Sequence, residues 1–294
     1  MDGVLVVDKP SGMTSHDVVA SARRALRESR IGHTGTLDPL ATGVLPLAIG
    51  RATRLAQFLT ASDKQYVATI QLGVTTDTYD ITGREVSRVD AAPAREAVVA
   101  ALHELTGDYL QAPPKYSAKR VAGKRAYDLA RAERPVQPAA VPVSVRRLEL
   151  VDLAGDVAIV DVTCSAGFYV RSLAFDVGER LGVGGCLRAL RRTRSGEFVV
   201  DDAVTMEVLA GSPAVAADRV MSMERLLPRV PAVVVTAEGQ ARVAHGRVVE
   251  PAHLADVAPS SAEWVRLIGP SGALLALARP ARPAGSLHPS VVLM

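Results

Sequence analysis

One acidic residue stands alone in a glycine-rich stretch near the start of the chain. The segment GHTGTLDPLATG, residues 32–43, contains a single carboxylate, Asp38, followed by Pro39. Three glycines punctuate the segment: Gly32, Gly35 and Gly43. They let the backbone pass close to another molecule, and a carboxylate that is ionised at neutral pH can attack an electrophilic carbon. The other interpretation is an ordinary Asp-Pro turn, in which the carboxylate accepts a backbone N–H.

Two basic blocks favour a nucleic-acid partner. Residues 115–125 (KYSAKRVAGKR) carry five cations and no acid, and residues 188–194 (RALRRTR) carry four arginines. The cations of the first block are Lys115, Lys119, Arg120, Lys124 and Arg125. Tyr116 and Tyr127 stand beside that block, and cations next to aromatic rings suit a phosphate backbone and stacked bases. The alternative is that both blocks are the solvated faces of ordinary helices.

The composition is that of an ordinary globular protein. The chain has 294 residues, a formal net charge of +3 and 48% hydrophobic residues, which predicts one large domain with a small one, or two of similar size. Its two cysteines, Cys164 and Cys186, lack the spacing of a disulfide framework or a zinc site. No run approaches the ~20 apolar residues of a membrane helix, and the N-terminus lacks signal-peptide features, so we expect a cytoplasmic protein.

Local patterns predict the elements that must position Asp38. Residues 3–10 (GVLVVDKP) predict a buried strand that ends at Pro10. Thr14 or Ser15 is expected to cap a helix that runs to about Arg27. Beyond the glycine-rich segment, the pattern predicts an apolar strand, a helical segment and an alternating strand, in the order VLPLAI, RLAQFL and KQYVATIQLG.

The middle of the chain predicts further helices and one hairpin. Asp90 is expected to cap a helix over residues 92–105. Residues 142–167 predict an antiparallel pair that turns around Gly155, and residues 169–182 a helix that stops at Gly182. Hairpin-paired strands with interspersed helices and no regular βα repeat indicate an α+β fold with a mixed, largely antiparallel central sheet.

The last part of the chain predicts a separate small unit. Pro228 and Pro231 bracket a linker, so we place the domain boundary between residues 1–229 and 230–294. Short strands are predicted in residues 230–250 and 264–280. A β-rich unit of roughly sixty residues is marginally stable alone, so we expect it to lean on the first domain.

Several separated motifs resemble one family. GHTGTLDPLATGVLP, the upstream VDKPSGMTSH, the later KQYVATIQLG, and YVRSL followed by LRRT occur in the order of the TruB family of tRNA pseudouridine synthases, from about residue 3 to 196. The PLATG that follows GTLDP is similar to the stand-alone bacterial type. The resemblance implies a pseudouridine synthase fold with a catalytic cleft, and an isomerase that converts the T-loop uridine 55 of tRNA to pseudouridine after flipping it out of the loop.

The resemblance also implies roles for residues in the cleft. By family match, Asp38 is the nucleophile, and Arg171 pairs with it. Tyr66 matches the residue that stacks on the flipped base and removes its C5 proton. Tyr169 would contact the uridine, and Leu190 would line the base pocket. Taken singly, these residues have ordinary alternatives: a half-buried strand tyrosine for Tyr66, a surface ion pair for Arg171 and a core leucine for Leu190.

By the same resemblance, a second set of matched residues is expected to contact the RNA or to hold the cleft residues in place. His33 matches the residue that fills the space left by the flipped base, and Asp77 falls where the family meets tRNA bases. Lys9 and Pro10 match a block that buttresses Tyr66. Residues of about 113–140 resemble an RNA-gripping insertion, which we expect to be mobile until tRNA binds. Residues 230–294 resemble a PUA-like domain that rests on the acceptor stem, with a purely structural cap as the alternative.

The expected reaction is an isomerisation, so the resemblance implies no cofactor, no metal and no obligatory protein partner, and we expect a monomer whose partner is tRNA. Two other functions remain open. A nucleic-acid glycosylase would also use Asp38 but would release free base, and a non-catalytic tRNA-folding protein would keep the basic blocks without needing the acid. The glycine-rich LGVGG at 181–185 is not a nucleotide-binding motif, because it follows a predicted helix and lacks the remaining motif residues.

Overall fold

The computed structural model describes residues 1–116, 120–121, 124–125, 138–259 and 261–294, with the backbone alone for 120, 121, 124 and 125. The predicted Lys119 lies outside these residues. The helices are α1 (Ser15–Leu26), α2 (Ala56–Thr60), α3 (Arg95–Glu104), α4 (Val170–Arg180), α5 (Met206–Gly211), α6 (Pro213–Asp218) and α7 (Ala237–Ala244). Short 3₁₀ helices cover Gly50–Leu55, Val200–Asp202, Met223–Arg225 and Pro251–His253.

The described strands fall into one large sheet and three smaller ones. The strands of the large sheet are β1 (Gly3–Lys9), β2 (Ile31–His33), β3 (Thr42–Ile49), β4 (Lys64–Leu72), β7 (Gly107–Gln111), β10 (Val141–Ala154), β11 (Val157–Cys164), β12 (Gly185–Ser195), β13 (Phe198–Val199), β14 (Val204–Thr205) and β15 (Met221–Ser222). Two hairpins stand apart: β5 (Val74–Thr76) with β6 (Glu85–Arg88), and β8 (Arg120–Val121) with β9 (Lys124–Arg125). The last sheet contains β16 (Ala232–Val234), β17 (Val265–Ile268), β18 (Leu274–Ala281) and β19 (Ser286–Val292).

The large sheet has the strand order β14-β1-β3-β12-β4-β11-β10-β7, with β2, β13 and β15 paired beside this path. The β1–β14 and β3–β12 pairs are parallel, and the other pairs are antiparallel. The predicted α+β fold with a mixed, largely antiparallel sheet is therefore confirmed. The parallel β3–β12 pair matters for the site, because it joins the strand after Asp38 to the strand that carries Leu190.

Local signals placed most of the predicted elements correctly. Thr14 is the N-cap of α1, its side chain accepting from the N–H of Asp17 while Asp17 accepts from the N–H of Thr14. Strands β10 and β11 form the predicted hairpin, and Gly155 at its turn has a φ of 61°. Helix α4 begins within the YVRSL motif, at Val170, and Gly182 lies just beyond the end of the helix with a φ of 70°.

Two predicted elements were wrong. Asp90 does not cap α3: the helix begins at Arg95, its N-cap is Ala94, and no side chain caps it. The intervening Pro93 restricts the residue before it to extended backbone, so the helix starts only after the proline. The second error lies in residues 230–250, where only strands were predicted: α7 forms there, capped by Thr236, whose side chain accepts from the N–H of Gly239.

The large sheet buries both of its faces. One face packs against α1, α3 and α4 around a core that includes Leu47, Ile70 and Leu173. The opposite face carries Val4, Val6, Val44 and Ala48, which form a second core with Leu274 and Leu277 of the last sheet and with Leu293 just after it. The last part of the chain therefore leans on the back of the large sheet, and it has a third core of its own.

Candidate active site

Asp38 lies in the loop between β2 and β3, and other elements hold this loop by its backbone. The buried Ser15 hydroxyl of α1 accepts from the N–H of Leu37 at 2.8 Å and donates to its carbonyl at 3.1 Å. The N–H of Thr34 donates to the Pro46 carbonyl at 3.0 Å. The Asp38 side chain keeps 34% of its surface exposed. A fixed backbone with an open carboxylate is the arrangement that a nucleophile needs.

Arg171 holds the Asp38 carboxylate with two hydrogen bonds. Its Nε donates to Oδ2 at 2.8 Å and its Nη2 to Oδ1 at 3.2 Å. The Arg171 side chain is only 7% exposed, and its remaining donors reach the carbonyls of Thr78, at 3.0 Å, and Tyr116, at 2.9 Å. A bidentate pair of this kind fixes the direction of both charged groups. The carboxylate is therefore aimed by an arginine that is itself locked in place.

Asp80 is a residue that the sequence analysis missed. Its side chain is buried, and its Oδ2 lies 3.8 Å from Nη1 of Arg171. The other carboxylate oxygen accepts from the N–H of Thr82 at 3.0 Å. Tyr79 next to it has a φ of 63°, and its ring stacks on Phe175 of α4 at 4.2 Å between centroids. Arg171 thus lies between two carboxylates, one partly exposed and one buried. The segment TTDTYD is polar throughout, and no pattern of spacing in it distinguishes Asp80 from Asp77 as the site residue.

We expect Asp80→Asn to lower turnover about tenfold, equivalent to ~1.4 kcal/mol of barrier, while the protein stays folded. The amide oxygen can still accept from Thr82, but the charge that balances Arg171 is lost, so Arg171 can move relative to Asp38. Single-turnover kinetics with saturating RNA measures the effect. Asp77→Asn, three residues earlier in the same β5–β6 turn, is the matched control, and equal effects of the two variants would contradict a specific role for Asp80.

Tyr66 lies on β4, opposite Arg192 of β12 and Val162 of β11. Its ring belongs to the core beside the cleft and is largely covered. Burial raises the pKa of Tyr66, and Arg192 opposes that rise by favouring the phenolate. The phenol is therefore neutral at neutral pH, so a role as proton acceptor depends on the nearby guanidinium. Leu190 lies in the same core cluster.

Arg192 is buried inside the protein, with 1% of its surface exposed. Its Nε donates to the carbonyl of Val44 at 2.7 Å and its Nη2 to that of Gly35 at 3.1 Å. Its neighbour Arg191 makes a bidentate ion pair with Asp8, at 3.0 and 2.8 Å. The interpretation of RALRRTR as an RNA-binding block is therefore wrong for the buried Arg192. Arg191 keeps 42% of its side chain exposed, so for the rest of the block the interpretation stays a prediction. Arg192 and Arg191 tie β12 to the Asp38 loop and to β1.

The glycines of the motif have different neighbours. A Cβ on Gly43 would lie 2.1 Å from the Arg192 carbonyl oxygen, and Gly43 has a φ of 101°. A Cβ on Gly32 would meet nothing within 4 Å. Gly35 has a φ of 137° and approaches the Arg192 guanidinium. The close approach at Gly43 is therefore to β12 of the same chain, whereas the sequence analysis expected it to make room for another molecule.

We expect Gly43→Ala to lower the free energy of unfolding by ~2 kcal/mol or more, because the new methyl group would separate β3 from β12 and the backbone conformation disfavours alanine. Denaturant unfolding followed by circular dichroism measures the change. Gly32→Ala is the matched control and should stay within ~0.5 kcal/mol of the unmodified protein. Similar losses in both variants would show that the β3–β12 contact is not the cause.

The predicted supporting residues lie around the same loop. The fully buried ammonium of Lys9 donates to the carbonyls of Pro10, Met13 and Pro39, at 2.8, 2.6 and 3.3 Å. Burial lowers the pKa of Lys9 to about 8. Through Pro39 this side chain supports the loop of Asp38, and a contact with Tyr66 stays a prediction.

His33 ends β2, next to the Asp38 loop. Its Nδ1 is buried without a hydrogen-bond partner among the described residues. Burial, with smaller effects of Arg192 and His16, lowers the pKa of His33, so the imidazole is neutral at neutral pH. Tyr169 immediately precedes α4, and its backbone N–H and carbonyl bind the amide of Gln111 at 2.8 and 3.1 Å.

The remaining predicted RNA contacts lie in the β5–β6 turn and between β7 and β10. The Asp77 carboxylate accepts from the backbone N–H of Arg84 at 2.9 Å and so belongs to the turn between β5 and β6. Lys115 is exposed beside Tyr116, whose carbonyl binds Arg171. The backbones of Arg120 and Arg125 pair across the β8–β9 hairpin, which also contains Lys124. Contacts of these residues with RNA stay predictions.

Two other kinds of feature, a metal-binding cluster and a membrane-spanning helix, are absent from the described part of the chain. No group of three or more His, Cys, Asp or Glu side chains there could hold a metal ion. Among the same residues, no helix combines the length and apolar character needed to cross a membrane. Cys164 and Cys186 are buried free thiols, and burial raises their pKa values to about 12 and about 11.

A mixed sheet whose cleft presents an exposed aspartate, aimed by a buried arginine, is typical of enzymes that use a carboxylate directly on their substrate. Residues 23–170 match the family model described as TruB family pseudouridylate synthase (N terminal domain). Residues 171–230 match the one described as tRNA pseudouridylate synthase B C-terminal domain. The chain belongs to the TruB family of pseudouridine synthases.

Individual relatives agree with the family models. The chain is 43% identical to tRNA pseudouridine synthase B of Solibacter usitatus, covering 100% of both chains. It is 48% identical to the protein of the same name from Symbiobacterium thermophilum over 84% of this chain and 82% of the relative. Among solved structures, it is similar to the archaeal box H/ACA sRNP Nop10-Cbf5 complex, with a TM-score of 0.74 and 27% identity over 99% of this chain and 86% of that chain. A Cbf5-Nop10-Gar1 complex gives a TM-score of 0.76 and 26% identity, covering 99% and 85% of the two chains.

Proposed function

We propose that this protein converts uridine 55 in the T loop of tRNA to pseudouridine. The observation that carries the proposal is the bidentate Arg171–Asp38 pair, in which the carboxylate remains 34% exposed at the cleft. The family membership supports the same activity, since the curated relatives are named tRNA pseudouridine synthase B. No cofactor enters the proposed reaction, because the substrate and the product are isomers.

In the proposed reaction, the uridine leaves the loop and enters the cleft between the Asp38 loop and β4. His33, whose neutral imidazole lies beside the Asp38 loop, occupies the space that the base leaves. The Asp38 carboxylate attacks the nucleoside at C1′ or at C6. The bond between C1′ and N1 breaks, the uracil turns, a bond forms between C1′ and C5, and the bond between Asp38 and the nucleoside breaks, which returns the free carboxylate. The C5 proton is then removed by Tyr66 in its phenolate form, which Arg192 favours, and N1 takes up a proton.

Arg171 and Tyr66 differ in what they contribute. The buried guanidinium of Arg171 keeps the carboxylate pointed at the cleft before the base arrives, which lowers the entropic cost of reaching the reactive geometry. Tyr66 provides an aromatic face for the base, with Leu190 in the same core cluster. Extrusion of a stacked base costs a few kcal/mol, and stacking on an aromatic side chain recovers part of that cost.

A T-arm stem-loop with uridine at position 55 tests the proposal. The purified protein is incubated with this RNA and no other addition, and the digested RNA is analysed by chromatography. We expect pseudouridine with no free uracil, whereas a glycosylase would release uracil and an RNA-folding protein would leave the uridine unchanged. The same stem-loop with cytidine at position 55 is the control RNA. Unchanged uridine after prolonged incubation would overturn the proposed activity.

We further propose that residues 1–229 form the catalytic domain, with residues of about 113–140 gripping the RNA, and that residues 230–294 form a PUA-like domain that contacts the acceptor stem. The separate sheet β16–β19 with its own core supports the division. We propose a monomer that acts on tRNA in the cytoplasm without an obligatory protein partner. Sedimentation of the protein with and without tRNA distinguishes a monomer from a dimer.

A further inference from the structure

A group of arginines surrounds the end of β2 that lies opposite His33. Helix α1 ends there with Arg23, Arg24 and Arg27; Arg30 precedes β2; and the 3₁₀ helix Gly50–Leu55 carries Arg51 and Arg54. Hydrogen bonds join these elements: Nη2 of Arg23 donates to the Ile31 carbonyl at 2.7 Å, and the N–H of Gly50 donates to the Arg30 carbonyl at 2.8 Å. We call these six residues the arginine surface.

The arginine surface has little negative charge of its own. Residues 18–60 contain six arginines, no lysine, and only Glu28 and Asp38 as acids. Arg51 is paired with Asp2 at 2.8 Å, but among the described residues no ion pair is made by Arg24, Arg27, Arg30 or Arg54. These four side chains are exposed. A cluster of like charges repels itself and so disfavours the folded chain unless an anion neutralises it.

Helix energetics explain only part of the arginine surface. Cations in the last turn of a helix stabilise it by ~0.3–1 kcal/mol each, which accounts for Arg23 and Arg24. Arg30 and Arg54 lie outside α1 and gain nothing from its dipole. Guanidinium groups bind phosphate oxygens in a bidentate manner, so a polyanion with regularly spaced phosphates fits such a group.

The position of the arginine surface relative to the cleft points to RNA. Strand β2 runs from Ile31 to His33 and pairs with Ile49 to Leu47 of β3. At ~3.3 Å per residue, the backbone of Arg30 is about 10 Å from that of His33. The arginine surface is therefore within reach of the backbone on either side of a nucleotide that lies at His33. Within RALRRTR, Arg192 is buried and Arg191 is paired with Asp8, so neither is as free to bind phosphate as the exposed arginines of this surface that make no ion pair among the described residues.

We propose that the arginine surface binds backbone phosphates of the tRNA stem next to the flipped nucleotide, with Arg27, Arg30 and Arg54 as its principal contacts. This inference rests on the proposed function for its partner. Phosphate contacts carry no sequence information, so the surface fixes the register of the RNA on the protein and leaves the choice of base to the cleft. Its contribution is to affinity, and the chemical step at Asp38 does not depend on it.

A salt titration of binding tests the proposal. The triple variant Arg27→Gln/Arg30→Gln/Arg54→Gln is compared with the unmodified protein in binding to unmodified full-length tRNA. Each lost phosphate contact lowers the slope of log K against log salt by roughly 0.9 in magnitude, so we expect a slope smaller by about 2 to 3. At fixed moderate salt, Kd should rise about tenfold or more. Turnover at saturating RNA should stay within about twofold.

The matched control is Arg95→Gln/Arg147→Gln/Arg180→Gln, which removes three exposed arginines on α3, β10 and α4, toward the opposite edge of the large sheet. Its net charge change is the same, and its salt slope should equal that of the unmodified protein. Thermal melts verify that both triple variants are folded, and the first should be at least as stable as the unmodified protein. Equal salt slopes for the two triple variants would overturn the proposal. Failure of the proposed function appears separately, as absence of pseudouridine with the unmodified protein.

Discussion

Asp38→Asn should leave a protein that binds tRNA but forms no detectable pseudouridine. The asparagine amide has nearly the same shape as the carboxylate, so the loop held by Ser15 and Arg192 should persist. The amide has no anionic oxygen to attack the nucleoside, and the reaction loses its covalent step. We expect Kd for tRNA to stay within about tenfold, equivalent to ~1.4 kcal/mol. Chromatography of digested RNA measures the product, and filter binding measures Kd.

Asp90→Asn is the matched control for this variant, because Asp90 is exposed and caps no helix. It should have full activity. A fully active Asp38→Asn variant would eliminate the nucleophile from the proposed mechanism, and it would favour a cleft that acts through binding alone. A variant that releases uracil would instead indicate that Asp38 governs the rejoining step.

Arg171→Lys should lower turnover about 100-fold or more. Lysine keeps the positive charge, but its ammonium cannot make two parallel bonds to Asp38 while also reaching the carbonyls of Thr78 and Tyr116. The carboxylate would lose its fixed direction, and a misplacement of about 1 Å can cost ~10²-fold in rate. Single-turnover kinetics at saturating RNA measures the effect on the chemical step separately from binding.

Arg180→Lys on the same helix is the control for this substitution, since Arg180 is exposed and its ion pair with Glu104 lies outside the cleft. Its turnover should be unchanged. A melting curve shows whether Arg171→Lys also loses stability, which we expect because the substitution leaves the buried Asp80 poorly paired. Turnover close to that of the unmodified protein, with the protein folded, would show that a positive charge alone is sufficient.

Sequence motifs named the candidate site residues, but they did not predict which groups surround those residues. Asp38 and Arg171 were both named from the sequence, although they are 133 residues apart. Asp80 was missed because nothing in TTDTYD distinguishes a carboxylate that will be buried against a guanidinium from one that closes a turn. The burial of Asp80 and its pairing with Arg171 depend on how the β5–β6 turn packs against α4. That packing is set by contacts between segments that are distant in the sequence.

The role of RALRRTR shows the same limit. As a string, its arginines indicate a charged surface, because arginine is rarely buried without partners. The parallel β3–β12 pair places Arg192 under the Asp38 loop. Backbone carbonyls there accept its hydrogen bonds, including the carbonyl of Val44, which is 148 residues earlier in the sequence. A basic residue that finds carbonyl acceptors inside the protein is no longer available to phosphates. Only the register of those strands decides between the two outcomes.

The sequence by itself determined the helices and hairpins whose signals are local, such as the Thr14 cap and the turn at Gly155, and it named Asp38 as the candidate nucleophile. Capping and alternation act within a few residues of the chain, so a short window contains the whole cause. The tertiary structure alone decided that Gly43 makes room for β12, that Asp80 joins Arg171, and that the last sheet covers the back of the first. These features depend on strand register and on the packing of faces, which bring together residues that no local pattern relates.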